Sequence, residues 1–197
     1  MACIGHILCR HCDALITYTP NGRFAVDSLK DNETLTALFE GTPLKRSLVS
    51  ILLGVVSMTM ECFGYLALSL WMKPYSPVCS VILLACTVIT FLSGVVHHVF
   101  CGTVEWFYLR MGRTEEARQA ILEFFKKTSA TMLVCFLAFA VFAVTLFTAV
   151  VLGWTPLPRW ACIFNLLVLF LVLAPFRIVG TLNIAGALMF AGLFLFL

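Results

Sequence analysis

Five runs of apolar residues, most of them near the length that crosses a bilayer, constrain this chain more than anything else in its sequence. They extend over Leu48–Met72, Val78–Cys101, Ala130–Leu152, Trp160–Ala174 and Ile178–Leu197. A hydrocarbon core about 30 Å thick calls for on the order of 20 apolar residues at about 1.5 Å of rise each. At 61% hydrophobic and 12% charged, with a mean hydropathy of +1.02, the chain holds more apolar surface than a soluble domain of 197 residues can hide. Backbone groups in lipid must pair within their own segment, so the runs are helices; none alternates as a barrel strand does. The expected fold class is all-α, a polytopic transmembrane helix bundle forming one integral-membrane domain over 1–197. Its strong spans are expected at 48–72, 78–104, 129–152, 160–176 and 178–197.

Residues 1–18 are harder to place. Met1–Thr17 lacks the uninterrupted apolar stretch and cleavage site of a signal peptide, and it carries His6, Arg10, His11 and Asp13. It either crosses as a short polar first helix, giving the six spans expected here, or lies in the cytoplasmic interface, giving five. Arg23, Lys30, Lys45 and Arg46 precede the first strong run, and Arg110, Arg113, Arg118, Lys126 and Lys127 lie between the second and third. The two short turns hold only Lys73 and Arg159. The positive-inside rule therefore assigns both basic connections to the cytoplasm. The C-terminus is then outside, as is the N-terminus if the first helix spans, and the expected location is a bacterial cytoplasmic membrane.

The connections carry their own signals. In the cytoplasmic connection 19–47, Pro20-Asn21-Gly22 marks a turn, and Asp31 or Asn32 can cap a short helix through Phe39 that Gly41 and Pro43 end. Its Leu35, Leu38 and Phe39 share a face suited to lying on the membrane. Thr114 is the expected cap of an amphipathic interfacial helix at 112–127, with Glu115 and Glu116 at its positive end and Lys126 and Lys127 at its close. That helix either rests on headgroups or packs its apolar face on the bundle.

Ionisable side chains within spans are costly and point to function. His98, Cys101 and Glu105 fall on one helical face, with His97 on its flank. Asp13, Arg177 and Asn183 reach the same cytoplasmic level, while Glu61 lies deeper. The expected catalytic group is His97, His98, Glu105 and Asp13, with Asn183, Arg177, Cys101 and Glu61 binding a ligand. A histidine beside a carboxylate exchanges protons near neutral pH. The leading expectation is thus a polar-based pocket, open to the cytoplasmic leaflet, that binds or transforms a small hydrophobic, lipid-like molecule. A small proton- or cation-coupled transporter using Glu61 and Asp13 is the alternative, and a non-catalytic interaction or immunity-type membrane protein is a third. Whether the chain is an enzyme stays open. So does the simplest account, in which both histidines sit at the interface bonded to backbone carbonyls or water.

Two histidines, a cysteine and carboxylates could also hold a metal, so metal occupancy and cofactor are left unknown. Cys9-Arg-His-Cys12 is a single C-x-x-C pair with no second to complete a zinc site. Most of the other cysteines read as small packing residues. No phosphate-binding glycine loop, zinc-protease helix, nucleophile elbow or nucleic-acid-binding module occurs. The bilayer and a small hydrophobic ligand are the expected partners, nucleic acid is not, and a homo-oligomer stays open.

Asp13-Ala-Leu-Ile-Thr-Tyr18 followed by Pro20, His97-His98, Pro156-Leu-Pro-Arg159-Trp160 and Asn183 together resemble a family of uncharacterised six-helix bacterial membrane proteins, a domain of unknown function. The resemblance covers most of the chain and implies a six-helix bundle without implying an activity. The polar Cys9–Cys12 stretch departs from its pattern. Intramembrane His and Glu acting on a lipid-like ligand is also the chemical logic of sterol-isomerase-type bundles, whose motifs do not match here residue by residue.

Overall fold

A computed structural model describes residues 1–196; the expected end of the last span at Leu197 lies outside the described residues. Its helices are α1 (Ala2–Thr17), α2 (Asn32–Phe39), α3 (Lys45–Trp71), α4 (Pro77–Arg110), α5 (Glu115–Thr128), α6 (Ala130–Val151), α7 (Leu166–Leu173) and α8 (Thr181–Leu193). Three are long and apolar enough to cross a membrane: α3, α4, and α6, which continues from α5 across Ser129. Their outer faces are apolar, with Leu52, Leu92 and Leu137 exposed, while Ser50, Ser57, Ser69, Ser80 and Thr87 are buried. Apolar outside and weakly polar inside is the pattern lipid imposes. The inward hydroxyls bond to helix carbonyls, as Ser69 Oγ donates to Tyr65 O and Ser80 Oγ to Ser69 O, both at 2.7 Å.

α1 packs against both α3 and α8, α3 against α4, and α4 against α6. Tyr65 of α3 is the centre of the apolar core. Its ring lies 4.9 to 5.3 Å, centroid to centroid, from those of Phe91, Phe139, Phe142 and Phe190, the spacing of offset and edge-to-face aromatic pairs.

The run expected as a span over 160–176 is not one helix. It divides into a 3-10 turn, Arg159–Phe164, and the eight-residue α7, with extended backbone at Asn165 between them. Asn165 ends one piece and starts the next: its Oδ1 accepts from Leu167 N–H and its Nδ2 donates to Ala143 O of α6, both at 2.9 Å. α7 passes at Ala174 into a 3-10 turn, Ala174–Phe176, that holds Pro175 and ends at Arg177, in the left-handed region at φ 51. Gly180 at φ 71 precedes α8, which has only 13 residues. Six helices of full membrane length are therefore not what the chain builds: α1, α7 and α8 have 16, 8 and 13 residues.

At the end of the bundle bearing the basic connections, a second small core forms. A two-stranded hairpin pairs β1 (Tyr18–Thr19) with β2 (Gly22–Arg23), and Asn21 in its turn donates to Ala37 O and Glu40 O at the end of α2. Asp31 caps α2 by accepting from Thr34 N–H, and hydrogen bonding from Thr34, its side chain first and then its N–H, holds the carboxyl below the usual range. The α2 face carrying Leu35 and Phe39 is buried against Tyr108 of α4 and Ala117 and Ile121 of α5. It does not lie on the membrane, because the end of α4, the full length of which runs to Arg110, offers it an aromatic partner.

Thr114 caps α5 as expected, accepting from Ala117 N–H. Hydrogen bonds from Arg118 and then Gln119 hold Glu115 at about 2, against an ordinary 4.5. Depression of the folded-state value means that this contribution is present above the ordinary value and is lost as pH falls from 4.5 through about 2. Amide hydrogen exchange over that window is expected to show the first turn of α5 fraying progressively as pH falls in the native chain, and frayed to one level throughout in Glu115→Gln, which lacks the charge. Fraying that is identical in both proteins would remove Glu115 as its cause.

Candidate functional site

A helix that carries His6, Cys9 and Asp13 at spacings of three and four presents them along one face. The neighbours of α1 supply their partners. Tyr65 of α3 meets His6 Nε2 at 3.1 Å. Asn183 of α8 meets His6 Nδ1 through its Oδ1 at 3.1 Å, and its Nδ2 donates to Asp13 Oδ2 at 2.9 Å. Glu61 places one oxygen 3.3 Å from His6 Nδ1. On the far side of Asp13, His98 Nδ1 of α4 lies 4.0 Å from Oδ1, and His98 Nε2 is 3.0 Å from Ser50 O.

The directions of these bonds follow from which atoms can donate. Ser50 O only accepts, so His98 Nε2 carries a proton and Nδ1 is the nitrogen free to exchange one with Asp13. Asn183 donates through Nδ2 to Asp13, which leaves Oδ1 as acceptor for a proton on His6 Nδ1. His6 Nε2 then accepts from the Tyr65 hydroxyl. From Tyr65 through His6 and Asn183, each donor points toward Asp13, while the His98 Nε2 proton points away to Ser50 O. His6, Glu61, Tyr65 and His98 are buried, whereas the Asp13 side chain is 29% exposed. The network thus reaches outward at a carboxylate.

Two glycines make room for the rings. A Cβ on Gly54 would overlap the imidazole of His98, and one on Gly186 that of His6. Gly94 is different, since a Cβ there meets only Cys135 Sγ at 3.2 Å and Met58 at 3.9 Å.

One turn along α4 from His98, and one turn along α1 from Asp13, an apolar cavity of about 210 Å³ opens between the bundle and the second core. Ile16, Phe24, Phe39, Cys101, Val104 and Phe125 are among the residues around it. Glu105 contributes to its wall at 6% exposure, and neither carboxyl oxygen has a hydrogen-bond partner among the described residues. Tyr108 also lines it, but its hydroxyl is engaged with Asn32 Oδ1 and Thr36 Oγ1, each at 2.9 Å.

The residues singled out from sequence therefore separate. Asp13, His98 and Asn183 come together, and Glu61 joins them through His6. Glu105 and Cys101 belong to the cavity. His97 faces α6, with Nδ1 3.2 Å from Thr131 Oγ1 and Nε2 3.4 Å from Cys101 Sγ. Arg177 is not part of either group. It is exposed in a left-handed turn, and its carbonyl accepts from Arg23 Nη1 at 3.1 Å. His6 and Tyr65 were not expected in the site, although His6 stands seven residues before Asp13 and Tyr65 four after Glu61, spacings that share a face.

Cys9 and Cys12 are buried, and Cys12 Sγ donates to Leu8 O at 3.1 Å. No three His, Cys, Asp or Glu side chains gather as metal ligands among the described residues.

If the glycines seat the imidazoles, Gly54→Ala and Gly186→Ala each lower stability by about 1–3 kcal/mol through overpacking, and Gly94→Ala costs less. Chemical denaturation in a common detergent ranks the three, and equal costs would sink the account.

No curated protein and no solved structure matches the chain. A model of a family of unknown function, DUF6796, matches residues 1–196. The matched residues run through all the described helices, and the chain belongs to that family.

Proposed function

We propose that the protein is an integral membrane protein that takes a small hydrophobic molecule into the cavity beside Glu105, at its cytoplasmic side. The observation that carries the reading is that cavity: about 210 Å³, walled by apolar side chains and by one buried carboxyl without a partner. Ligand sites share this make-up of an apolar lining with few polar groups. All six membrane-embedded helices, α1 included, form the bundle, with the basic connections inside by the positive-inside rule.

Glu105 is the group that faces the ligand. Asp13 and His98 lie one turn from the cavity's edge, His98 two turns of α4 from Glu105, with Asp13 meeting solvent and His98 Nδ1 taking or giving a proton. A histidine–carboxylate pair at the rim of an apolar site is suited to acid–base chemistry.

Native mass spectrometry of gently solubilised protein tests the reading. The native chain should carry a small molecule, and Val104→Phe, which fills the cavity, should lower its occupancy at least about tenfold, a loss of about 1.4 kcal/mol in binding. An empty native protein, or a molecule that Val104→Phe retains in full, counts against it.

A second reading has its own support. Asp13, Asn183, His6 and Glu61 form a buried line of exchangeable groups across α1, α3 and α8, which suits a proton- or cation-coupled transporter. On this reading a pH gradient imposed on proteoliposomes drives a flux that Asn183→Leu stops by removing the amide between Asp13 and His6. A flat response in the native protein would exclude it.

A further inference from the structure

The cavity's lining says what kind of head group it accepts. Its walls are almost wholly apolar, so the body of any occupant must be apolar as well. Glu105 is the exception. Its carboxyl is buried, lines the cavity, and has both oxygens unpaired among the described residues. Of the donors nearby, the buried hydroxyl of Ser47 stands beside Glu105 and makes no hydrogen bond of its own, so it can meet at most one of the two oxygens; two others are engaged elsewhere. Tyr108 Oη is held by Asn32 and Thr36, and the neighbouring Arg46 turns its guanidinium to Tyr18 O.

A carboxyl in an apolar wall without a partner is costly, and the cost is removed by whatever brings a hydrogen to it. Neutral or ionised, the carboxyl keeps an oxygen that accepts, and a head that donates is the one that meets it in both states. An ionised carboxylate head brings no hydrogen to donate. Size sets the rest. An apolar cavity of about 150 Å³ holds a benzene, so a cavity of about 210 Å³ holds little more than one ring or a short chain.

We infer that the ligand is a small amphiphile whose head donates hydrogen bonds to Glu105, an amine or a hydroxyl, and whose apolar body fills the space toward Phe39 and Phe125. This rests on the ligand-cavity reading above and adds the chemical class of its occupant.

Photoreactive probes test it on the full chain in lipid nanodiscs. Eight-carbon alkyl diazirines ending in a primary amine, a hydroxyl, a carboxylate or no head are irradiated with the protein, and adducts are mapped by peptide mass spectrometry. The amine and hydroxyl probes should label the peptides holding Val104 and Ile121 about tenfold more than the other two, as expected of a hydrogen bond to a charged group. Glu105→Gln keeps the shape without the charge and separates the two heads. An amine loses its preference in that variant, and a hydroxyl keeps it. Equal labelling of the cavity by all four probes overturns the head-group inference while leaving the cavity as a binding site. Absence of cavity adducts with every probe overturns both.

Discussion

A helix bearing His6 and Asp13 on one face cannot turn that face to lipid. Each ionisable group left in hydrocarbon costs several kcal/mol, of order 2.5–3.5 for an aspartate at mid-bilayer by insertion scales. α1 must be wrapped, and the bundle's arrangement follows from that need. α3 brings Tyr65 and Glu61 to it, α8 brings Asn183, and α4 brings His98. Close approach of three helices to one polar face leaves no space for larger residues beneath the imidazoles, hence glycine at 54 and 186.

The polar line and the cavity are neighbours with opposite characters. In the line, most exchangeable atoms have partners, and donation from Tyr65 through His6 and Asn183 runs toward Asp13. In the cavity, Glu105 has none among the described residues. A paired network fixes a structure, and an unpaired carboxyl awaits something. This contrast is why the ligand-facing role is proposed for Glu105 rather than for the histidine nearest to it in sequence.

Much of this was legible before any coordinates. The Leu48, Val78 and Ala130 runs became the three long apolar helices, and the local signals of Asp31 and Thr114 became caps because capping depends only on residues two or three positions away. The shared face of His98 and Glu105 was visible at a spacing of seven. Their division between two environments was not, because it depends on where α1 ends and the hairpin folds over. Asn165 illustrates the harder limit. Asn165 is the one strongly polar residue of the Trp160–Ala174 run, but a lone amide does not announce a break, since the bond that stabilises it reaches to Ala143 on another helix. Arg177, expected at the cytoplasmic level of Asp13 and Asn183, stands in an exposed left-handed turn at φ 51 before α8, a backbone conformation that residue spacing does not announce.

The shortness of α7 and α8 has a consequence for the surrounding lipid. At about 1.5 Å per residue they rise only about 12 and 20 Å, against an acyl region about 30 Å deep. Leu171, Val172 and Leu188 on these helices are exposed, so acyl chains reach this flank. Hydrophobic mismatch there draws the leaflets together or fills the gap with the tilted ends of neighbouring segments. The opposite flank, along α3 and α4, matches an undeformed bilayer. Short helices on one flank and long ones at α3 and α4 give the two flanks unequal demands on a bilayer, and either response to the shorter one favours bilayers that deform easily.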